Sequence, residues 1–396
     1  MRKDQGALGV NVPQEVLDVL PEVVRDRRAL HERPELAMQE DETRAYLRAE
    51  IEALGLEARE VAKGLVVDLP GGAGPGRFVG IRADMDGLPV TEPPGPEFRS
   101  RNEGRMHACG HDAHMAIALG ALRVLTRAQD RLTGAVRFLF QPSEEVPPGG
   151  ALGMIEAGVL EGLDSVIGLH VWSPLPVGTV QLNRGVLMGN TDSFHVTLTG
   201  SGGHGSAPHA TIDSVLLAAE IIVNLQQIVS RRVDPLESAV VTVGKVQAGT
   251  APNVIPETAE LHGTVRSFTS GVRKLLKREI ERVVRSTTDM FGAKADIDYL
   301  FGYPAVVNPT SGVPDVVAQV ASDVVGRSRV IEAPPSLGGE DFAYFLEHLP
   351  GAFFFLGCGT SQTGPHHSPH FGLDEACLPY GVAILTESAR RLTARA

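Results

Sequence analysis

Short runs that are almost wholly apolar constrain this chain most: GLVVDL (64–69), RFVGIRAD (77–84), AVRFLF (135–140), SVIGLHVW (165–172) and FFFLG (353–357). A strand with one wet face alternates apolar and polar residues. A run without alternation is buried on both faces, as in a parallel sheet covered by helices. Amphipathic helical patterns lie between the runs, at about 13–32, 40–54 and HMAIALGALRVLTRA (114–128). The succession predicts an α/β fold, a mainly parallel sheet with helices on both faces.

The texture changes near residue 190. FHVTLTG (194–200) alternates, as a half-exposed strand does. A helical pattern follows at about 214–230, then strand patterns SAVVTVGKV (238–246) and ETAELHGTVRSF (257–268). A charged amphipathic helix at about 271–290 and the strand ADIDYL (295–300) complete the order β-α-β-β-α-β, that of a ferredoxin-like unit. The expected organisation is a discontinuous large domain, 1–188 and 303–396, interrupted by a smaller α+β domain, 189–302. A chain of 396 residues exceeds one ordinary core, so two domains are the expectation on length as well.

Composition narrows the partners. A net charge of −12 argues against nucleic-acid backbones and anionic membranes. No apolar run approaches the roughly 20 residues of a membrane helix. The N-terminal MRKDQGALGVNVPQE has no apolar leader core. Three cysteines, at 109, 358 and 377, make no disulfide framework, and a reducing cytoplasm is the expected compartment.

Polar clusters fall where an α/β fold puts its working groups, just past strand ends. Asp84 and Asp86 follow RFVGIR, Glu144 and Glu145 follow AVRFLFQPS, and His170 ends SVIGLH. MHACGHDAH (106–114) packs three histidines, one cysteine and one aspartate into nine positions of a chain with 13 His and 3 Cys. Cys109 and His111 are good donors for a divalent transition metal. His107, His111 and His114 also have helical spacing, so one face could simply present them, although Gly110 disfavours a helix there. Of adjacent Glu144 and Glu145, one can bind metal while the other moves a proton; a solvated pair is the plainer alternative. Asp84 and Asp86 are ligands, groups that orient imidazoles, or strand-end turn formers. SGGHGSAPH puts His204 in a glycine-rich loop, GTAPNVIP carries Asn253, and GTVRSF carries Arg266, a natural fork for a carboxylate. GGEDF (338–342) and GPHHSPHF (364–371) repeat the polar theme.

Taken in order, RADMDGLPVTE, MHACGHDAHMA, FLFQPSEE, GLHVW, GSGGHGSAPH, PNVIP, GTVR, GGEDFAYF and HHSPHF resemble the M20 metallopeptidase family, within its amidohydrolase branch. The resemblance implies two divalent metal ions, Zn²⁺ or Mn²⁺ with Co²⁺ or Ni²⁺ as alternatives. Their ligands would be Cys109, His111, Glu145, His170 and His367, the last chosen over His366 and His370 because it begins the HSP step. It also implies Glu144 as general base, Asp86 as the aspartate supporting the centre, and His204 as an oxyanion-stabilising lid histidine. Asn253 and Arg266 would hold substrate. The implied activity is hydrolysis of N-acyl-amino acids by a homodimer joined through the lid domain. A carboxypeptidase or dipeptidase of the same family, or a non-catalytic metal-binding protein, are the alternatives.

Overall fold

The computed structural model describes residues 11–394. Most of the N-terminal stretch read above for a leader lies outside them. The described chain divides into two compact units. The first runs to Leu187 and resumes over Val307–Pro334 and from Asp341; the second is Met188–Val306 with Pro335–Glu340.

The first unit is built on an eight-stranded sheet ordered Ala58–Val61, Gly64–Pro70, Ala135–Gln141, Phe78–Asp84, Ser165–Pro176, Gly351–Gly359, Val180–Gln181, Val330–Ile331. Its centre is parallel: Phe78–Asp84 pairs in parallel with both Ala135–Gln141 and Ser165–Pro176, and the latter with Gly351–Gly359. Toward the edges the pairing turns antiparallel at Ala58–Val61, Gly64–Pro70 and Val180–Gln181. The short strands Ala58–Val61, Val180–Gln181 and Val330–Ile331 carry no apolar run of their own and were not anticipated.

Both faces of the sheet are covered. Along Gly351–Gly359, Ala352, Phe354, Leu356 and Cys358 join the core formed with helices Leu20–His31, His111–Arg127, Val313–Val325 and Leu378–Thr393. Phe353 points the other way and stacks on Phe342 of helix Phe342–His348, centroids 4.8 Å apart. This is why the strand shows no alternation: all nine residues are buried. The helical pattern expected over 13–32 is two helices, Gln14–Leu17 and Leu20–His31, the second restarting with Pro21 in its first turn, where a missing N–H costs nothing.

The second unit has a four-stranded antiparallel sheet ordered Ala239–Ala248, Thr258–Ser267, Asn190–Thr199, Lys294–Phe301, the ferredoxin-like arrangement. Phe194, Val196, Leu198, Ala259, Leu261 and Val265 face helices Ser214–Arg231 and Ser270–Phe291 and form its core. The intervening residues, among them His195, Thr197, Glu260 and His262, are half-exposed on the opposite face.

Candidate metal centre

Strands of the first unit's sheet and the segments that follow them build the site. The strand Phe78–Asp84 delivers Asp84 and then Asp86, both buried. The strand Ala135–Gln141 runs into Ser143, Glu144 and Glu145, and Ser165–Pro176 carries His170. The stretch 106–110 is not helical; the helix begins at His111, with Gly110 at φ +91° as its cap. A Cβ at Gly110 would stand 2.4 Å from Val171 Cγ2, so only glycine fits the turn that brings Cys109 beside His170.

Asp86 organises the ligand loops. Its Oδ1 accepts from the Glu144 N–H and its Oδ2 from the Glu145 N–H, each at 3.0 Å. Oδ1 also faces His111 Nδ1 at 3.2 Å. Nδ1 therefore donates, and Nε2 is the free nitrogen of His111. It looks toward Asp84 Oδ2 (3.5 Å), Glu145 Oε1 (3.8 Å) and Glu144 Oε2 (3.9 Å). Burial opposes a charged His111, but Asp84, Asp86 and Glu145 overturn that and push its pKa up to about 10. The field that holds a proton on His111 is one that would hold a divalent cation.

The donors converge. Cys109 Sγ lies 3.3 Å from His170 Nε2, and His170 Nδ1 donates to the Val171 carbonyl at 2.6 Å, which leaves Nε2 as the lone-pair nitrogen. Burial, then the neighbouring His114 and His366, hold His170 well below the usual histidine range, hence neutral. Glu145 Oε1 is 3.3 Å from His367 Nε2. Cys109, His111 and His170 offer donor atoms all within 4.8 Å of one another, and so do Cys109, Glu145 and His367. Two triads sharing one thiol have the form of a dinuclear site. The fit to metal rests on His111 Nε2, buried with no hydrogen-bond partner, and on Glu145 Oε1, buried between His111 Nε2 and His367 Nε2. Burial, then Glu145 and Glu144, push the Cys109 thiol well above its ordinary range, so a thiolate there needs a cation.

Several contributors were not legible as such. His114, left without a role above, has Nδ1 2.6 Å from Asp84 Oδ1 and accepts the Val171 N–H on Nε2 at 2.8 Å. It ties the Asp84 loop to the His170 strand; its i+3 spacing from His111 was the available signal. Asp112 lies 2.8 Å from His31 Nδ1 and 2.9 Å from Arg27 Nε, clear of the donor triads. His366 stacks on Trp172 at 4.8 Å and accepts the Ser173 N–H on Nε2, while His370 is exposed. His367 sits at φ +62° and donates its N–H to the Ala108 carbonyl.

His204, Asn253 and Arg266 belong to the second unit. His204 pairs with Val254 across a two-residue ladder, and the Asn253 carbonyl accepts from the Gly205 N–H, so the two loops share one rim. His204 Nδ1 accepts from the Ser206 N–H at 3.1 Å, which leaves Nε2–H as an outward donor. Arg266 is half-buried and donates to the Asp192 and Val265 carbonyls.

Residues 80–391 match peptidase family M20/M25/M40. The chain belongs to that family. An N-acyl-L-amino acid amidohydrolase of Geobacillus stearothermophilus is 44% identical over 298 residues, 75% of this chain and 80% of the relative. Thermostable carboxypeptidase 2 of Saccharolobus solfataricus is 39% identical over 367 residues, 91% of this chain and 92% of the relative. Among solved structures, a dinuclear metal-binding M20 peptidase of Bacillus subtilis superposes with a TM-score of 0.82 at 35% identity, covering 95% of this chain and 99% of that one. M20 membership makes the chain a metal-binding hydrolase of C–N amide bonds.

Proposed function

We propose that this M20 hydrolase releases amino acids from N-acyl conjugates, with metal held by Cys109, His111, Glu145, His170 and His367. The observation that carries the reading is the buried, unpartnered His111 Nε2, facing Glu145 Oε1, which in turn faces His367 Nε2. Bound there, divalent ions would polarise the amide carbonyl and bring water near a pKa of 7. Glu144 would take the proton from the attacking water and hand it to the leaving amine. Asp86 holds the Glu144 and Glu145 backbones, and both carboxylates reach toward His111 Nε2. His204 Nε2–H would stabilise the oxyanion, and Arg266 and Asn253 would hold the substrate carboxylate.

The second unit is read as lid and dimerisation domain. In support, its sheet has free edges, and Val246, Leu300 and Phe301 on its two edge strands are exposed. Light scattering on the eluting protein at twice the chain mass is the expected result. The described cysteines are all free, as a cytoplasmic enzyme's would be, and no helix among the described residues is long and apolar enough to cross a membrane.

The test is paired: metal content of the purified protein, and amine release from N-acyl-amino acids and dipeptides with Zn²⁺ or Mn²⁺. About two ions per chain and metal-dependent release from acyl-amino acids support the proposal. Turnover confined to peptides moves the assignment to the carboxypeptidase reading, which the Saccharolobus relative favours.

A further inference from the structure

The second unit's sheet carries a cluster on its helix-free face that the hydrolytic reading does not use. His195, on Asn190–Thr199, stands directly opposite His262, on Thr258–Ser267. Their rings stack at 4.2 Å with 10° between planes. Glu260, two residues before His262 and so on the same face, brings Oε2 to 3.5 Å from His262 Nε2 and 3.7 Å from His195 Nε2. Both separations are too long for hydrogen bonds. Both Nε2 atoms are nevertheless hidden from solvent and without a hydrogen-bond partner.

From this geometry we propose that His195, His262 and Glu260 form an accessory site for a divalent transition ion of the zinc class. Zinc–nitrogen and zinc–oxygen bonds of about 2.0–2.2 Å at tetrahedral angles put ligand atoms roughly 3.3–3.5 Å apart. The observed carboxylate–imidazole separations are within a few tenths of an ångström of that, and the three donor atoms all lie within 4.8 Å of one another. One oxygen facing two imidazole nitrogens is poorly served by a proton, which can bridge only one; a single cation serves both. Two imidazoles select zinc, nickel or copper over magnesium or calcium. The two strands are the central pair of the four, with their register set by backbone pairing, so the three side chains start from one face; the stacked imidazoles turn about their Cβ–Cγ bonds to bring both in-plane Nε2 lone pairs onto one ion. Asp298 stands opposite His195 on the other flank and adds negative charge; Lys245 stands opposite His262 and opposes it. The open fourth position is left for water. The ion would clamp Asn190–Thr199 to Thr258–Ser267, independently of the reaction.

The test is equilibrium dialysis of the full chain against micromolar zinc, counting bound zinc by elemental analysis. The wild type should hold one more ion per chain than H195A/H262A, and Glu260→Gln should weaken that ion's binding at least tenfold. Because the count is a difference, ions at the Cys109 centre cancel, and Cys109→Ala should leave the extra ion in place. Far-UV circular dichroism establishes that the double variant is folded. Should it not fold, zinc-edge anomalous diffraction from wild-type crystals decides, with a peak expected between the three donor atoms. Equal zinc counts in folded proteins, no peak at this position, or occupancy only at millimolar zinc would overturn the proposal.

Discussion

A single carboxylate, Asp86, meets two backbone N–H groups and one imidazole, and is itself buried. Replacing one of its oxygens by an NH₂ group sets a donor against a donor. Asp86→Asn is therefore expected to weaken metal binding by about 10–100-fold, read by competition with a chelator; unchanged affinity would mean that the loop holds its shape without it. Glu144 plays a different part at the same scale. Glu144→Gln should lower kcat by about 10²–10⁴-fold while the ions per chain stay constant. Parallel loss of metal would instead make Glu144 a ligand. MHACGHDAH was legible as a donor cluster, but not its division of labour: His111 presents a free nitrogen, whereas both nitrogens of His114 are spoken for. That division depends on partners up to 57 residues away, such as the Val171 N–H.

At the scale of elements, the loop bearing Glu144 depends on a helix start 103 residues before its Ser143. Glu40 immediately precedes helix Asp41–Glu52 and accepts the N–H groups of Met38 and Ser143 on Oε1, at 3.0 and 2.8 Å. Ser143 is left-handed, φ +54°, a conformation that a serine holds only when its surroundings insist. Burial above all, with the Asp86 charge adding to it, pushes the Glu40 pKa up to about 7. A carboxyl that binds its proton more tightly folded than unfolded contributes stability at low pH, and that contribution is lost as pH rises from about 4.5 to 7. Glu40→Gln keeps the accepting oxygen and cannot ionise. Its melting temperature relative to wild type should therefore climb between pH 5 and pH 8, and a difference independent of pH would show that Glu40 does not titrate there. Sequence reading missed Glu40 because a glutamate at a helix start has an ordinary local explanation; only the distant Ser143 gives it another task.

Across the whole molecule, the GGEDF segment earns its place far from its own neighbours in sequence. Asp341 accepts from Arg82 Nη2 at 2.7 Å, from Gln141 Nε2 and from the Ala151 N–H, and Arg82 also meets Asp84 at 2.9 Å. Arg82, Asp84 and Asp341 are fully or nearly fully buried. Removing Asp341 takes from Arg82 one of its two carboxylates and takes an acceptor from Gln141 Nε2 and the Ala151 N–H, so Asp341→Ala should destabilise the fold by about 3–5 kcal/mol, measured by denaturant unfolding. A loss under about 1 kcal/mol would mean that water reaches Arg82 and replaces the pair.

The sequence by itself determined the elements and the chemistry within reach. A strand buried on both faces must be apolar at every position, and a half-wet one must alternate, so the α/β body and the ferredoxin-like insert follow from patterning alone. Clustered thiol, imidazole and carboxylate groups at strand ends made metal a candidate, and the motifs' resemblance to the M20 family turned it into an expectation. The tertiary structure decided what patterning does not carry. Short strands such as Val180–Gln181 form because neighbouring strands offer them backbone partners, and Pro335–Glu340 joins the second unit through backbone bonds such as Gly189 N–H to the Ser336 carbonyl. The His195–His262–Glu260 cluster exists only because register sets residue 195 opposite residue 262. Patterning is a property of neighbours along the chain; hydrogen-bond partners, burial and the fields they create belong to neighbours in space.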